Sequence, residues 1–304
     1  MRSLTCPGPG TVTCGAEPST AQANYHPTDM VWPIRNTRHP SRFLHLTRVT
    51  RMPATVTDIY RYPVKGLSGE KLVETRLSPG QTITGDRIFA LGRPGFSFNI
   101  ENPVWMPKTN FLALVRDAQL AELTTRYDDA SNTLTVRLDG NEVIAADLSS
   151  ADGRAQLEAF FERFMADEIS GAPTLLKADG HSFSDLDDKV ISLINLESVR
   201  ELNKKTGADT NPLRFRGNVY FNGVPAWDEL DWVDRELTIG EMRLKVIKRT
   251  RRCAATNVNP DTAIRDMNIP ATLQKNWGHA DLGIYARVIN AGTLRPGDAL
   301  KLSS

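Results

Sequence analysis

From Val56 onward the chain alternates apolar and polar side chains with the two-residue period of a half-buried strand, first through Val56-Thr-Asp-Ile59-Tyr60-Arg61-Tyr62-Pro63-Val64. Lys65 to Glu70 reads as a turn, Lys71 to Leu77 as a second strand, and Ser78-Pro79-Gly80 as its stop. Gly85-Asp86-Arg87 turns the chain into a strand over Ile88 to Leu91, and Phe111 to Leu114 marks a further strand or short helix. Ala121 to Tyr127, Thr133 to Leu138 and Val143 to Asp147 form a meander, broken by Asp128-Asp129 and Asp139-Gly140-Asn141. Short strands at near-regular spacing predict a β-barrel or sandwich.

The period then changes. Leu157, Phe160, Phe161 and Phe164 fall on one face of a helix predicted over Gly153 to Ala166, and aromatic residues at that spacing are core. Strands follow over Thr174 to Lys177 and Val190 to Ile194, with the polar stretch His181 to Asp188 as a loop between them. A second helix spans Leu196 to Thr206, with Leu196, Val199 and Leu202 inward. Phe215 to Phe221, Leu237 to Ile247, Tyr285 to Ile289 and Ala299 to Leu302 complete the strands. The expected architecture is α+β and predominantly β, with a β-rich N-terminal domain over 52–170 and a second domain over 171–304.

The segment 1–51 has a different composition. It is rich in Pro, Thr, Ser and Arg, holds two acids (Glu17, Asp29), and lacks both a sustained apolar period and the apolar core of a secretory signal. It reads as a disordered tail: either a transit-type targeting segment or an over-extended gene start with Met52 as initiator. The first alternative implies an organelle, the second the cytoplasm. No apolar stretch approaches the ~20 residues of a membrane span.

Composition narrows the function. With 304 residues, 40% hydrophobic and 24% charged, the chain is an ordinary globular protein. Its formal net charge of +1 argues against a general nucleic-acid binder, although a local basic pocket for one small anion stays open. Three cysteines (Cys6, Cys14, Cys253) make no disulfide framework and are too few for a cysteine-held iron–sulfur cluster. The five histidines show no zinc spacing. Neither a glycine-rich dinucleotide turn, a Walker loop nor a Gly-x-Ser-x-Gly elbow is present.

The remaining chemistry gathers at strand ends. Lys245-Val-Ile-Lys248-Arg249-Thr-Arg251-Arg252-Cys253 reads as a strand running into a loop, and the turn-formers Ala254 to Thr262 follow. The thiolate is both the nucleophile and the metal-binding form of cysteine, and cationic neighbours favour it. The bland alternative is a small buried hydrophobe beside a solvated basic face. Arg214-Phe215-Arg216-Gly217-Asn218 offers a fork for a phosphate or a flat heterocycle, or else a solvated strand edge. Lys65 and Arg87 are weaker signals of the same kind. Together, several cations and one thiolate suit an anionic ligand with a phosphate at one end and a soft metal at the other.

These motifs resemble the MOSC family, the molybdenum-cofactor sulfurase C-terminal domain proteins. The resemblance is carried by Tyr62-Pro-Val-Lys65-Gly, Gly85-Asp-Arg87, Phe215-Arg216-Gly-Asn218, Arg252-Cys253-Ala-Ala-Thr256-Asn-Val-Asn-Pro260-Asp261-Thr262 and Gly297-Asp298-Ala-Leu. It covers Met52 to the C-terminus and implies a MOSC β-barrel preceded by the family's β-rich N-terminal domain. Within that family it is similar to the amidoxime-reducing type. The resemblance implies that Cys253 ligates molybdenum, a suitable role for a soft thiolate. It implies that Lys65, Arg87, Arg216, Asn218 and Arg252 hold the molybdopterin and its phosphate, that Thr256 adds polar contacts, and that Asp261 lies near the catalytic centre. The implied activity is reduction of N-hydroxylated compounds with electrons from an external donor, a cytochrome b5-like protein or a ferredoxin and reductase system. A different class also stays open: a sulfur or cofactor carrier with a persulfide on Cys253. Some MOSC domains are fused to pyridoxal-phosphate sulfurases, so that coenzyme is associated with the family, but no Schiff-base lysine context is present here. Three positions depart from the family pattern: Gly66 stands where some relatives have a hydroxyl residue, Gly217 replaces a proline, and Arg251 replaces a small polar residue. Arg251 either adds positive charge at the cofactor or points to solvent.

Overall fold

The computed structural model describes residues 53–303, and the expectations for 1–51 lie outside the described residues. In chain order the strands and helices are β1 (Ala54–Arg61), β2 (Glu70–Leu72), β3 (Thr75–Leu77), β4 (Phe89–Gly92), β5 (Leu123–Asp128), β6 (Thr133–Leu138), β7 (Asn141–Asp147), α1 (Ala151–Phe164), β8 (Thr174–Lys177), β9 (Ile191–Asn195), α2 (Leu196–Thr206), β10 (Val219–Asn222), β11 (Glu236–Ile239), β12 (Met242–Arg251), α3 (Ile269–Trp277), β13 (Asp281–Val288), β14 (Gly292–Leu294) and β15 (Ala299–Leu302).

Seven strands close into a barrel in the order β10-β9-β13-β12-β11-β15-β1, sealed by pairing of β1 with β10; β2 hangs on the outside of β1. Closure removes the exposed edges that an open sheet presents to other chains. β1 comes from before the meander and the other six barrel strands from after it, so the barrel draws on both ends of the described chain. Alternate residues point inward, and Val56, Ile59, Phe221, Leu244, Val246 and Ile284 are among those that fill the interior. β9 and β10 run parallel, and α2 is the crossover such a pair requires. The sequence marks both ends of α2. Asn195 Oδ1 accepts from Glu197 N, Glu197 and Lys204–Lys205 suit the helix dipole, and Gly207 closes the helix in the left-handed region.

The other layer packs the β5-β6-β7 meander, the β4-β8 pair and α1 around a separate apolar core. Leu157 and Phe161 of α1 are fully buried there, with Phe160 and Phe164 packed half-buried against it.

The strand-rich fold agrees with the sequence reading, as do α1 and α2, but three local expectations change. Phe215 to Phe221 is not one strand: a 3-10 turn over Pro212–Phe215 is followed by Arg216 at φ 51°, and β10 starts only at Val219. Leu237 to Ile247 is a hairpin of β11 and β12 broken at Gly240-Glu241, and Lys71 to Leu77 divides into β2 and β3. The helix α3 was not expected, although Asn268 as cap, Pro270 in its first turn and Gly278 at its end are the usual signals.

Candidate functional site

A cleft opens between the barrel and the meander layer, with about 930 Å³ of atom-free space out to its mouth. The end of β12 delivers Thr250, Arg251, Arg252 and Cys253 to it; the entry to β10 delivers Arg214, Phe215, Arg216 and Asn218; the outer faces of β9 and β13 give Ser192 and Tyr285. From the other layer come Lys65 and Gly66 after β1, Asp86 and Arg87 before β4, Lys108, and the stretch Ala113 to Val115. Seven cations line the cleft against two carboxylates, Asp86 and Asp185. The chain as a whole is near neutral, so its positive charge is concentrated here.

Cys253 is a free, half-buried thiol. Lys108 Nζ donates to its Sγ at 3.2 Å and also lies 3.5 Å from Asp185. Thr256 donates its hydroxyl to Cys253 O at 2.9 Å, which fixes the loop behind the sulfur. Lys65 is buried and donates to Asp185 at 2.7 Å and to Phe183 O at 2.8 Å. Burial pushes the Lys65 ammonium below its ordinary range, and Asp185 opposes that push. Burial works the other way on Asp185, but Lys65, Lys108 and Arg87 overcome it and hold its carboxyl well below the usual carboxylate range.

Arg87 and Arg216 form the back wall. Both sit in the left-handed region, at φ 52° and 51°, an uncommon conformation for a side-chain-bearing residue and one that clusters at functional sites. Both guanidinium groups pack on the buried Tyr62 ring, at 4.8 and 4.3 Å from its centroid. Arg87 pairs with Asp86 and donates to Arg216 O at 3.1 Å. Burial and the nearby Arg87 charge push Arg216 down to about 10. Arg216 Nη1 reaches Leu67 O at 2.5 Å, whereas its Nη2 is buried with no partner among the described residues. The Nε of Arg214 and the hydroxyl of Thr250, also cleft-lining, are orphaned in the same way.

Of the eight residues singled out from the sequence, Cys253, Lys65, Arg87, Arg216, Asn218, Arg252 and Thr256 line this one cleft, while Asp261 does not. Asp261 is exposed on the loop beyond it, where both its oxygens accept from Asn211 Nδ2 at 3.0 Å. Arg252 and Asn218 face the cleft but spend their polar atoms on the protein. Arg252 Nε donates to Leu282 O at 2.7 Å and Nη1 to Phe215 O at 2.9 Å, and Nη2 is also bonded to Leu282 O. Asn218 Oδ1 accepts from Ser192 N at 3.1 Å and its Nδ2 donates to Tyr60 O at 3.2 Å. Gly66 is at φ +88°, and an added Cβ would lie 2.7 Å from Leu112 O, so this backbone excludes a hydroxyl side chain at that position.

Sequence reasoning missed Lys108, Asp185, Thr250 and Tyr62. Lys108 opens a short 3-10 turn and Asp185 lies in a loop, with no motif around either, and only the fold brings Lys108 to the sulfur and Asp185 to Lys108. Tyr62 was visible as part of a strand, but the two guanidinium groups on its ring come from residues far along the chain.

A closed barrel with a cationic cleft and a free thiol at a strand end is an arrangement able to hold an anion beside a cysteine. Comparison identifies the family. Residues 53–171 match the MOSC N-terminal beta barrel domain and residues 176–301 match the MOSC domain, and the chain is a MOSC-domain protein. It is 22% identical to the human mitochondrial amidoxime-reducing component 1 over 84% of this chain and 85% of that one. It is 32% identical to the rat mitochondrial amidoxime reducing component 2, over 36% of this chain and 35% of that one. Among solved structures, the YUAD protein from Bacillus subtilis aligns over 82% of this chain and 94% of its own at 14% identity, with a TM-score of 0.40. Among the described residues no helix is long and apolar enough to cross a membrane, and no three metal-binding side chains cluster.

Proposed function

We propose that this protein is an oxidoreductase that binds the molybdenum cofactor in the cationic cleft, with Cys253 as the protein's ligand to the metal, and reduces N-hydroxylated compounds. The observation that carries the reading is the pairing of a half-buried free thiol with orphaned buried donors in one cleft. Arg216 Nη2 and the Thr250 hydroxyl each lack a partner, and a buried donor left that way is destabilising by about 1–3 kcal/mol. An anionic, hydrogen-bonding ligand in the cleft removes that penalty. The donor set fits the group: guanidinium and ammonium for a phosphate-bearing pterin, a thiolate for a soft metal.

When bound, the cofactor supplies the two-electron chemistry by which an N-hydroxyl compound, with two protons, becomes the N–H compound and water. The chain's own residues hold and orient. Lys65, Arg87 and Arg216 grip the anionic end, Asn218 and Arg252 fix the backbone around it, and Thr256 sets the loop that presents the sulfur. Lys108 donates to the sulfur. Electrons come from an external protein donor, which fits the word component in the relatives' names. Asp261, exposed outside the cleft and bonded to Asn211, takes no part in the chemistry.

The test is metal analysis joined to turnover. Near-stoichiometric molybdenum in the purified protein, lost in Cys253→Ala, together with reduction of benzamidoxime by viologen-supplied electrons, supports the proposal. Protein-bound sulfane sulfur without metal would make the protein a sulfur carrier instead.

A further inference from the structure

The cations of the cleft divide once their counter-charges are assigned. Arg87 has Asp86, Arg214 has Asp266, and Lys65 and Lys108 share Asp185. Arg216 and Arg252 donate to backbone carbonyls. Arg251 is different. It is exposed, it lines the same cleft, and among the described residues its guanidinium has no ion-pair, hydrogen-bond or ring partner. Its backbone is paired with Asp281 across β12 and β13, yet no ion pair joins the two side chains. The cleft also carries an apolar wall, from Leu114, Val115, Leu186 and Val190. A free guanidinium, an apolar wall and a surplus of positive charge together suit an organic anion with a hydrocarbon body.

We propose that Arg251 is a specificity-determining residue that draws N-hydroxylated substrates bearing a carboxylate or a phosphate group into the cleft. The guanidinium fork matches either oxyanion bidentately. The surrounding cations add a field that a cleft with low-dielectric walls focuses toward its mouth. The position is one residue from Arg252 and two from Cys253, and all three line the same cleft. The substrate class rests on the oxidoreductase reading; the anion preference in binding does not.

The test measures equilibrium binding and turnover separately on the full chain with its cofactor. The probes are benzamidoxime, its 4-carboxylate and its 4-phosphate ester, each titrated calorimetrically and each assayed with viologen-supplied electrons. In the wild type the two anionic probes should bind about tenfold more tightly than the neutral one, the order expected of one charge-assisted contact. In Arg251→Ser that ratio should fall toward one, with the molybdenum content unchanged, and Arg251→Lys should keep most of it. The preference should also shrink between low and physiological salt. The carboxylate and phosphate arms show which oxyanion the site favours. Equal binding of neutral and anionic probes by the wild type, or an unchanged ratio in Arg251→Ser, overturns the proposal, as does loss of molybdenum in that variant, which would place Arg251 on the cofactor. If the anionic probes bind selectively but none is reduced, the oxidoreductase reading falls and the anion site stands. If all three are reduced without charge preference, the reverse holds.

Discussion

Arg252 offers a sharp test of whether a residue at this cleft serves the ligand or the fold. Its position next to Cys253 points to the cofactor, yet each of its three guanidinium nitrogens donates to Leu282 O or Phe215 O, with the guanidinium 5.2 Å from the Phe215 ring centroid. Replacement by Met keeps the apolar stem and removes the charge. Two buried carbonyls then lose charge-assisted donors, at about 1–3 kcal/mol each. Against that stands relief from burying a cation with no carboxylate in contact, the effect that pushes its pKa down. The net expectation is a loss of about 3 kcal/mol. At about 2–4 °C per kcal/mol for a domain of this size, the melting temperature should fall by ~6–12 °C. The assay is calorimetric unfolding of metal-free protein, where no cofactor is present to be lost. An Arg252→Met protein that melts within 2 °C of the wild type while failing to retain molybdenum would refute the argument and return Arg252 to the ligand.

Three further outcomes are expected. Gly283→Ala should destabilise by about 2–4 kcal/mol on urea titration, because Gly283 sits at φ +78° and a Cβ would lie 2.5 Å from Leu193 O, beside the Arg252 guanidinium. Thr250→Val should leave the metal-free protein as stable as the wild type or up to about 2 kcal/mol more so, since it deletes an orphaned buried hydroxyl at nearly constant shape, but it should lower molybdenum retention. Asp185 has a folded pKa below its unfolded value, so its contribution is present above about pH 4 and is lost as pH falls through the folded value. Because the side chain is 46% exposed, screening limits that contribution to about 1 kcal/mol or less. Asp185→Asn should therefore be slightly less stable at pH 7 and show a shallower acid limb in melting temperature against pH.

Much of the fold was legible because alternation is a local property. The meander, α1, α2 and the strand leading to Cys253 follow from periodicity and caps alone. The expectation failed where backbone geometry turns within a few residues. Phe215-Arg216-Gly217-Asn218 looks like a strand by composition, yet Arg216 takes a left-handed conformation that no propensity favours. Barrel contacts hold it there: Gly217 O accepts from the Tyr62 hydroxyl and Asn218 N donates to Ser192 O. α3 went unseen because its signals lie in a segment of weak apolar period.

A strand-rich fold, the family motifs, and a thiol at the end of a basic run are all written in the order of residues, because each depends on neighbours within a few positions. Long-range packing sets the rest: β1 closes the barrel made by later strands, Lys108 reaches the sulfur and pairs with Asp185, and Arg252 is latched to carbonyls while the Arg251 guanidinium has no partner among the described residues. Adjacent arginines in one motif are indistinguishable as letters. They acquire opposite roles because Arg251, the last residue of β12, stays exposed at the cleft, while Arg252, one residue past the strand, is buried against Leu282 O and Phe215 O.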